Sequence, residues 1–469
     1  MLAITKICLM KKIFVFILLL TNCLLGTAQT RLIVMSDIGG SDPDDTESMI
    51  HLMVSLDQVN LEGIISQHAW VPYGVGAVNL INNIIDGYAK VFPNLKVHSD
   101  GFPSADYLHS IVKVGQSAAA MKGVGEGKDS DGSEWIIHVV DKDDPRPVWI
   151  AAWSGLSTLA QSLRKVEQTR SKEEFARFVG KIRVYDVLGQ DDAGAWIAKN
   201  FPTITYIRNT AIYGWAPSDG WTKMNIQNIG TLGALYPDRI WATEGDSPSF
   251  MYCLENGLNR PEHPDYGGWG GRFDTTEISG IRGMDWVQKA GLDESQYDPY
   301  YMIPSAKEGS QAISNWKDAI YNDFAARMKW TVNSEYAKDN NHPHVVLNGD
   351  STKNIIEMSV HAGGSLILNA SKTFDPDGNK LMYKWIFYKE PSSYKGKLQM
   401  NTSVKDVCKI VIPEDAYGKS IHIILEVTDD GTPALTSYRR IVIFPDNTSG
   451  IGNIKVDEKR ITLITKSRN

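Results

Sequence analysis

The chain has 469 residues, with 48 basic side chains against 55 acidic ones and a net charge of −7 at neutral pH. A surface of that sign argues against nucleic acid as a partner, and no basic run offsets it. The length allows two or three domains with a large core.

Residues 1–28 read as a secretory signal peptide. Lys6, Lys11 and Lys12 precede an apolar run from Ile13 to Leu20, and the small residues Gly26 to Ala28 supply a cleavage site after Ala28. The apolar run is too short to span a bilayer stably. The expectation is an exported bacterial protein of the periplasm or cell surface, with no integral membrane segment. Cys23 follows "LTN", which lacks the small residues of a lipidation site. Cleavage leaves 45 basic residues against 55 acidic ones. It also leaves only Cys253 and Cys408, a single pair in different candidate domains and no disulfide framework.

From Arg31 to about Arg208, short β-rich runs alternate with helical patterns. "RLIVMS", "LEGIIS", "PVWIAAW", "KIRVYDVLG" and "TITYIR" are the strands, and "DDTESMIHLMVSL", "GAVNLINNIIDGYAKVF", "GLSTLAQSLRKV" and "DAGAWIAKNF" the helices. This is the pattern of an α/β fold, an open, mostly parallel sheet flanked by helices. Residues 209–308, rich in Trp, Tyr, Gly and Pro, predict long loops. "SQAISNWKDAIYNDFAARMKWTVN" predicts one more long helix that closes a domain spanning 29–340. Residues 345–445 turn to Val, Ile, Ser, Thr and turn formers, predicting a small all-β, immunoglobulin-like sandwich. Its "DPDGN" and "DDGTP" are turn signals, with plain solvent-facing turns the simpler reading and bound calcium the alternative. Residues 446–469 form a polar tail with no assigned role.

The chemistry concentrates in "RLIVMSDIGGSDPDD". Ligands of an open parallel sheet bind beyond the carboxyl ends of its strands, where Asp37, Asp44 and Asp45 fall. A helix cap at Asp42 or Asp44 would account for one aspartate but not for four, because like charges this close repel without a neutralising cation. A hard divalent ion with oxygen ligands, Ca²⁺ foremost, is the natural counter-charge.

The opening resembles the signature of the nucleoside hydrolases, an aspartate at a strand end followed by glycine and an Asp-Asp pair. Two extra residues separate the glycine from the pair here. The longer "DIGGSDPDD" form is closer to secreted nucleoside hydrolase-like proteins described as cellulose-binding. "QDDAGAWIAKNFP", "EGDSPSFMYCLENGLNRPEHPDYGGWGGRFD" and "NDFAARMKW" carry the resemblance further, over most of residues 31–335.

The resemblance implies that Asp37 ligates calcium and acts as the base toward a calcium-held water. It implies Asp45 as a second ligand, Asp44 as a partner of sugar hydroxyls, the Trp153 carbonyl as a ligand, and Asp246 as the last metal-binding aspartate. Where the nucleoside hydrolases carry Gly-Asn, this chain has "SQHAW", so His68 and Trp70 stand there as candidate substrate contacts, with a hydrogen-bonded structural role the alternative for His68 and core packing the alternative for Trp70. Gln190 and Asp191 are candidates for sugar contact, while Asp192 reads as a helix cap. Glu244 is a candidate leaving-group acid or a structural carboxylate. Trp269, in the glycine-rich "YGGWGGRF", reads as a lid or sugar platform, with packing against the sandwich as the alternative.

The leading expectation is a calcium-dependent glycosyl hydrolase cleaving an N- or O-glycosidic bond in a glycan-derived or nucleoside-like substrate. The alternative is a non-catalytic cellulose- or polysaccharide-binding protein. A third reading makes the sandwich a surface-interaction module. The resemblance also leaves an oligomer open.

Overall fold

The computed structural model describes residues 29–40, 42–67, 75–241, 243–283 and 292–447. The signal peptide, His68, Trp70 and the tail beyond 447 lie outside the described residues.

Residues 31–304 build one seven-stranded sheet in the order β3-β2-β1-β4-β5-β6-β7. Its strands are β1 (Arg31–Ser36), β2 (Asn60–Ser66), β3 (Val112–Val114), β4 (Val148–Ala152), β5 (Ile182–Val187), β6 (Thr205–Asn209) and β7 (Ile303–Pro304). Every pairing is parallel. Helices cover both faces, and β1 shows why. Leu32 and Val34 enter one apolar core and Ile33 and Met35 the other, so the strand is apolar throughout. The order reverses between β1 and β4: β2 and β3 extend to one side, β5 to β7 to the other. That reversal opens a crevice beyond the strand ends.

The connecting helices include α1 (Asp44–Val54), α2 (Val75–His98), α3 (Ala105–Ser110), α4 (Asp131–Asp141), α5 (Ser157–Thr169), α6 (Lys172–Gly180) and α7 (Ala193–Asn200). The predicted long closing helix is broken. A short turn at Gln311–Ser314 precedes α8 (Lys317–Trp330), with Asn315 and Trp316 between them. The edge strands β3 and β7, of three and two residues, are too short to leave a sequence pattern.

The C-terminal part forms a four-stranded sheet, β10 (Met382–Tyr388), β13 (Ile421–Thr428), β14 (Thr436–Asp446) and β8 (Ile356–His361). A three-stranded sheet, β11 (Gln399–Asn401), β12 (Val407–Val411) and β9 (Ser365–Asn369), faces it. Both contribute to one apolar core, through Leu368, Ile410, Ile423 and Ile441 among others. All pairings are antiparallel except β14 with β8.

This sandwich is not hung on a free linker. Tyr388, Ile424 and Tyr438 pack into the core of the first domain. Arg440, fully buried, donates from Nε to the carbonyl of Leu258, from Nη1 to Tyr266 and from Nη2 to Gly267. The last two carbonyls belong to the glycine-rich loop read from sequence as a lid. Trp269 in that loop is 2 % exposed and packs edge-on against Tyr438. The lid expectation is therefore corrected: with its ring buried under the sandwich, Trp269 is a core residue. Arg272, in the same loop, pairs with Glu308. Cys253 and Cys408 are both buried and free. Among the described residues no helix is long and apolar enough to cross a membrane.

Candidate functional site: an acidic cleft at the β1–β4 reversal

Register brings the end of β1 beside the end of β4. Met35 pairs with Ala152, and the Trp153 N–H donates to the Met35 carbonyl at 2.8 Å. Asp37 and Trp153 thus emerge together at the crevice. The chain leaves β1 through Gly39, whose φ of +103° is a conformation L side chains rarely adopt, and enters α1 without a side-chain cap. Ser36, the last residue of β1, donates from Oγ to Asp45 Oδ1 and fixes that carboxylate beneath the turn. Asp44 Oδ1 accepts from the Asp45 N–H at 3.1 Å.

Asp246 arrives from about 200 residues away, and the bonds that hold it are specific. Glu47 Oε2 accepts from the Glu244 N–H at 2.7 Å, tying the incoming loop to α1. Ser247 Oγ lies 3.0 Å from Ser48 Oγ. The indole N–H of Trp153 donates to Ser249 Oγ at 2.7 Å, and that hydroxyl donates to the Asp246 carbonyl. A Cβ at Gly245 would sit 2.6 Å from Asp44 Oδ2, so a larger residue there would push that carboxylate aside. One carboxylate oxygen each from Asp44, Asp45 and Asp246 consequently lies within 4.8 Å of the others.

The cluster is electrostatically unbalanced. Burial, followed by the charges of Asp42 and Asp37, pushes the Asp44 carboxyl up to about 7. Burial and then neighbouring aspartates also hold Asp45 and Asp246 well above the ordinary carboxylate range. No Lys or Arg is among the described residues lining the cleft. Asp246 Oδ2 is buried without a hydrogen-bond partner. An all-oxygen, anionic donor set with an orphaned buried oxygen fits a hard divalent cation such as Ca²⁺.

The cleft encloses about 540 Å³, room for a small organic ligand. Asp37, Trp153 and Gln190 line it, and Gln190 Nε2 donates to the Trp153 carbonyl. Two aromatics that the sequence reading missed stand at its rim, Tyr213 at 42 % exposure and Trp241 at 74 %. Trp241 is four residues before Gly245, and an indole in a polar stretch beside the acidic "EGD" was the available signal.

Two further expectations are corrected by geometry. Glu244 is 1 % exposed and fully engaged: Oε1 accepts from the Tyr236 hydroxyl at 2.8 Å, while Oε2 takes Ser247 Oγ at 2.8 Å and lies 2.6 Å from His51 Nδ1. It braces the Asp246 loop and cannot reach a leaving group. Asp191 is 2 % exposed, with Oδ2 accepting from the Leu156 N–H and Oδ1 from the Ala193 N–H, both at 3.0 Å. It ties the starts of α5 and α7 together rather than facing a sugar. The capping role expected of Asp192 falls instead to Asp191; Asp192 Oδ1 accepts from the Met121 N–H.

Comparison with known proteins places this architecture. Residues 31–273 match the family described as cellulose-binding Sde182, nucleoside hydrolase-like domain, and residues 365–445 match the C-terminal domain of cellulose-binding protein Sde0182. A solved nucleoside hydrolase-related protein from Saccharophagus degradans, associated with carbohydrate metabolism, is 43 % identical with a TM-score of 0.85. The alignment covers 89 % of this chain and all of that one. A PKD domain from the KIAA 1837 protein is 16 % identical over 21 % of this chain and 87 % of its own, with a TM-score of 0.15, too low to carry any argument. No curated protein matches. With a parallel sheet reversing at β1 and β4, an aspartate cluster at that reversal and both domains matched in order, the chain belongs to the Sde182 family of cellulose-binding, nucleoside hydrolase-like proteins.

Proposed function

We propose that the protein is an exported, calcium-dependent glycosyl hydrolase that cleaves an N- or O-glycosidic bond in a glycan-derived or nucleoside-like substrate. The observation that supports this most is the convergence of Asp246 with Asp44 and Asp45 at the reversal of the sheet, with a buried Asp246 oxygen left unpaired. In this reading Asp45 and Asp246 hold the cation together with Asp37 and the Trp153 carbonyl, and Asp44, the third member of the convergent trio, lies against it. A bound Ca²⁺ would supply a Lewis acid that fixes and acidifies a water. Asp37 would take the proton from the water that attacks the anomeric carbon, and the departing group would take its proton from solvent. Asp44 accepts hydrogen bonds from sugar hydroxyls, and the anionic floor stabilises the positive charge of an oxocarbenium-like transition state. Trp241 and Tyr213 offer apolar ring faces to a sugar or base.

One observation favours a second reading, polysaccharide binding without turnover: the exposed aromatics at the rim, together with the family's cellulose-binding description. The two separate in one experiment. Calcium binding is measured by calorimetry on the mature protein and on Asp246→Asn, and glycosides and nucleosides are screened for hydrolysis with calcium and with chelator. Calcium-dependent sugar release lost in Asp37→Asn supports the hydrolase. Sugar affinity that survives Asp37→Asn with no turnover of any substrate supports the binding protein.

A further inference from the structure

The turns "DPDGN" and "DDGTP" keep Asp377, Gly378, Asp430 and Thr432 at the surface, but the carboxylates of their first aspartates, Asp375 and Asp429, are drawn inward. They close on each other and on residues 339–341, where the first domain passes into the sandwich. Asp429 is fully buried. Its Oδ1 accepts from Asn340 Nδ2 at 2.8 Å and from the N–H groups of Gly431 at 2.9 Å and Leu435 at 3.0 Å. Its Oδ2, equally buried, has no partner. Asp375 repeats the arrangement, with Oδ1 accepting from the N–H groups of Asp377 at 2.9 Å and Asn379 at 3.0 Å, and Oδ2 buried without a partner. The side chain of Asn340 bridges the two turns, accepting from Asn379 Nδ2 at 2.7 Å while it donates to Asp429.

Neither carboxylate forms a salt bridge among the described residues. The charges of Asp429 and Asp377 bear on Asp375 and, after burial, help raise its carboxyl. A fully buried carboxylate, Asp429, and a partly buried one, Asp375, therefore share one junction, each with one oxygen hydrogen-bonded and the other buried without a partner. Water could fill the hydrogen bonds but not offset the charge, and an unpaired buried charge is costly. A divalent cation does both, and Ca²⁺ accepts the irregular oxygen geometry that two turns can offer.

We propose that Asp375 Oδ2 and Asp429 Oδ2 are ligands of a second Ca²⁺ site, structural in role, that locks the two turns of the sandwich to the Asn340 linker. It shares no residue with the cleft and stands whether or not the cleft is catalytic. Its position has a built-in reporter, since the Trp330 indole N–H donates to the Asn340 carbonyl at 3.0 Å.

The test uses the full mature chain. Calorimetry with Ca²⁺ should give two equivalents for the wild type, one each for Asp246→Asn and Asp429→Asn, and none for the double variant. Terbium bound to Asp246→Asn should luminesce through Trp330, and Trp330→Phe should quench that signal without changing the calorimetric stoichiometry. Asp429→Asn keeps an oxygen for the three N–H donors, and Asp375→Asn provides an independent loss of the same equivalent. The proposal is overturned if Asp246→Asn binds no calcium, or if its equivalent persists in the double variant. Failure of the cleft reading looks different: wild type and Asp246→Asn would each bind one equivalent, and Asp429→Asn none.

Discussion

Replacing Asp44 by Asn should stabilise the calcium-free protein, although it removes a charged residue from the proposed site. A carboxyl that keeps its proton up to about 7, against an ordinary value of 3.8, penalises the ionised folded state by about 4 kcal/mol. The sign follows from linkage. The folded value lies above the unfolded one, so stability is fully present below pH 4 and is lost as pH rises toward 7. At roughly 2.1 cal/mol/K of unfolding entropy per residue, about 4 kcal/mol corresponds to a Tm shift of about 4 °C for a chain of this size. The assay is thermal unfolding in chelator between pH 4 and 8, on wild type and Asp44→Asn. Wild-type Tm should fall across that range, and the variant should fall less and unfold higher at pH 8. Calcium should reverse the wild-type trend, because its ligands must be ionised. A calcium-free wild-type Tm that is flat or rising from pH 4 to 7, or a variant that melts lower at pH 8, would refute the argument.

Trp269→Ala should cost about 3–5 kcal/mol, read from denaturant unfolding, and leave sugar affinity unchanged in the folded fraction, as expected of a core indole. Trp241→Ala should do the opposite, changing stability by no more than about 0.5 kcal/mol while weakening binding of a sugar ligand in calorimetry. Glu244→Gln should lower Tm through its bonds to Tyr236 and His51 and leave the pH at which turnover falls unchanged, because the carboxylate does not face the cleft.

The sheet was legible through its five longer strands, of which β1 and β4 are apolar on both faces, and the first acidic turn because four aspartates after a strand have no structural explanation by themselves. Asp246 had no such local signature. Its place is set by contacts to Glu47, Ser48 and Trp153 that no periodicity records, and only family resemblance linked it to the turn. Ser36 was read simply as the end of a strand, although its hydroxyl fixes Asp45. The misreadings share one cause. Glu244, Asp191 and Trp269 have residue types suited to chemistry, and their burial depends on partners 35 to 197 residues away. Tyr213 and Trp241 were overlooked because they sit in irregular chain where exposure has no sequence pattern.

Arg440 spends its guanidinium on three carbonyls of the 258–267 loop. Enzymes that work on insoluble polymers often carry an accessory module on a long tether, which lets the module grip one chain while the active site samples others. Here the tether is missing in effect, since the sandwich is seated on the same core as the sheet. The angle between its outer surface and the mouth of the cleft is therefore set when the chain folds. Whatever surface the sandwich meets, the cleft would approach it from one direction only.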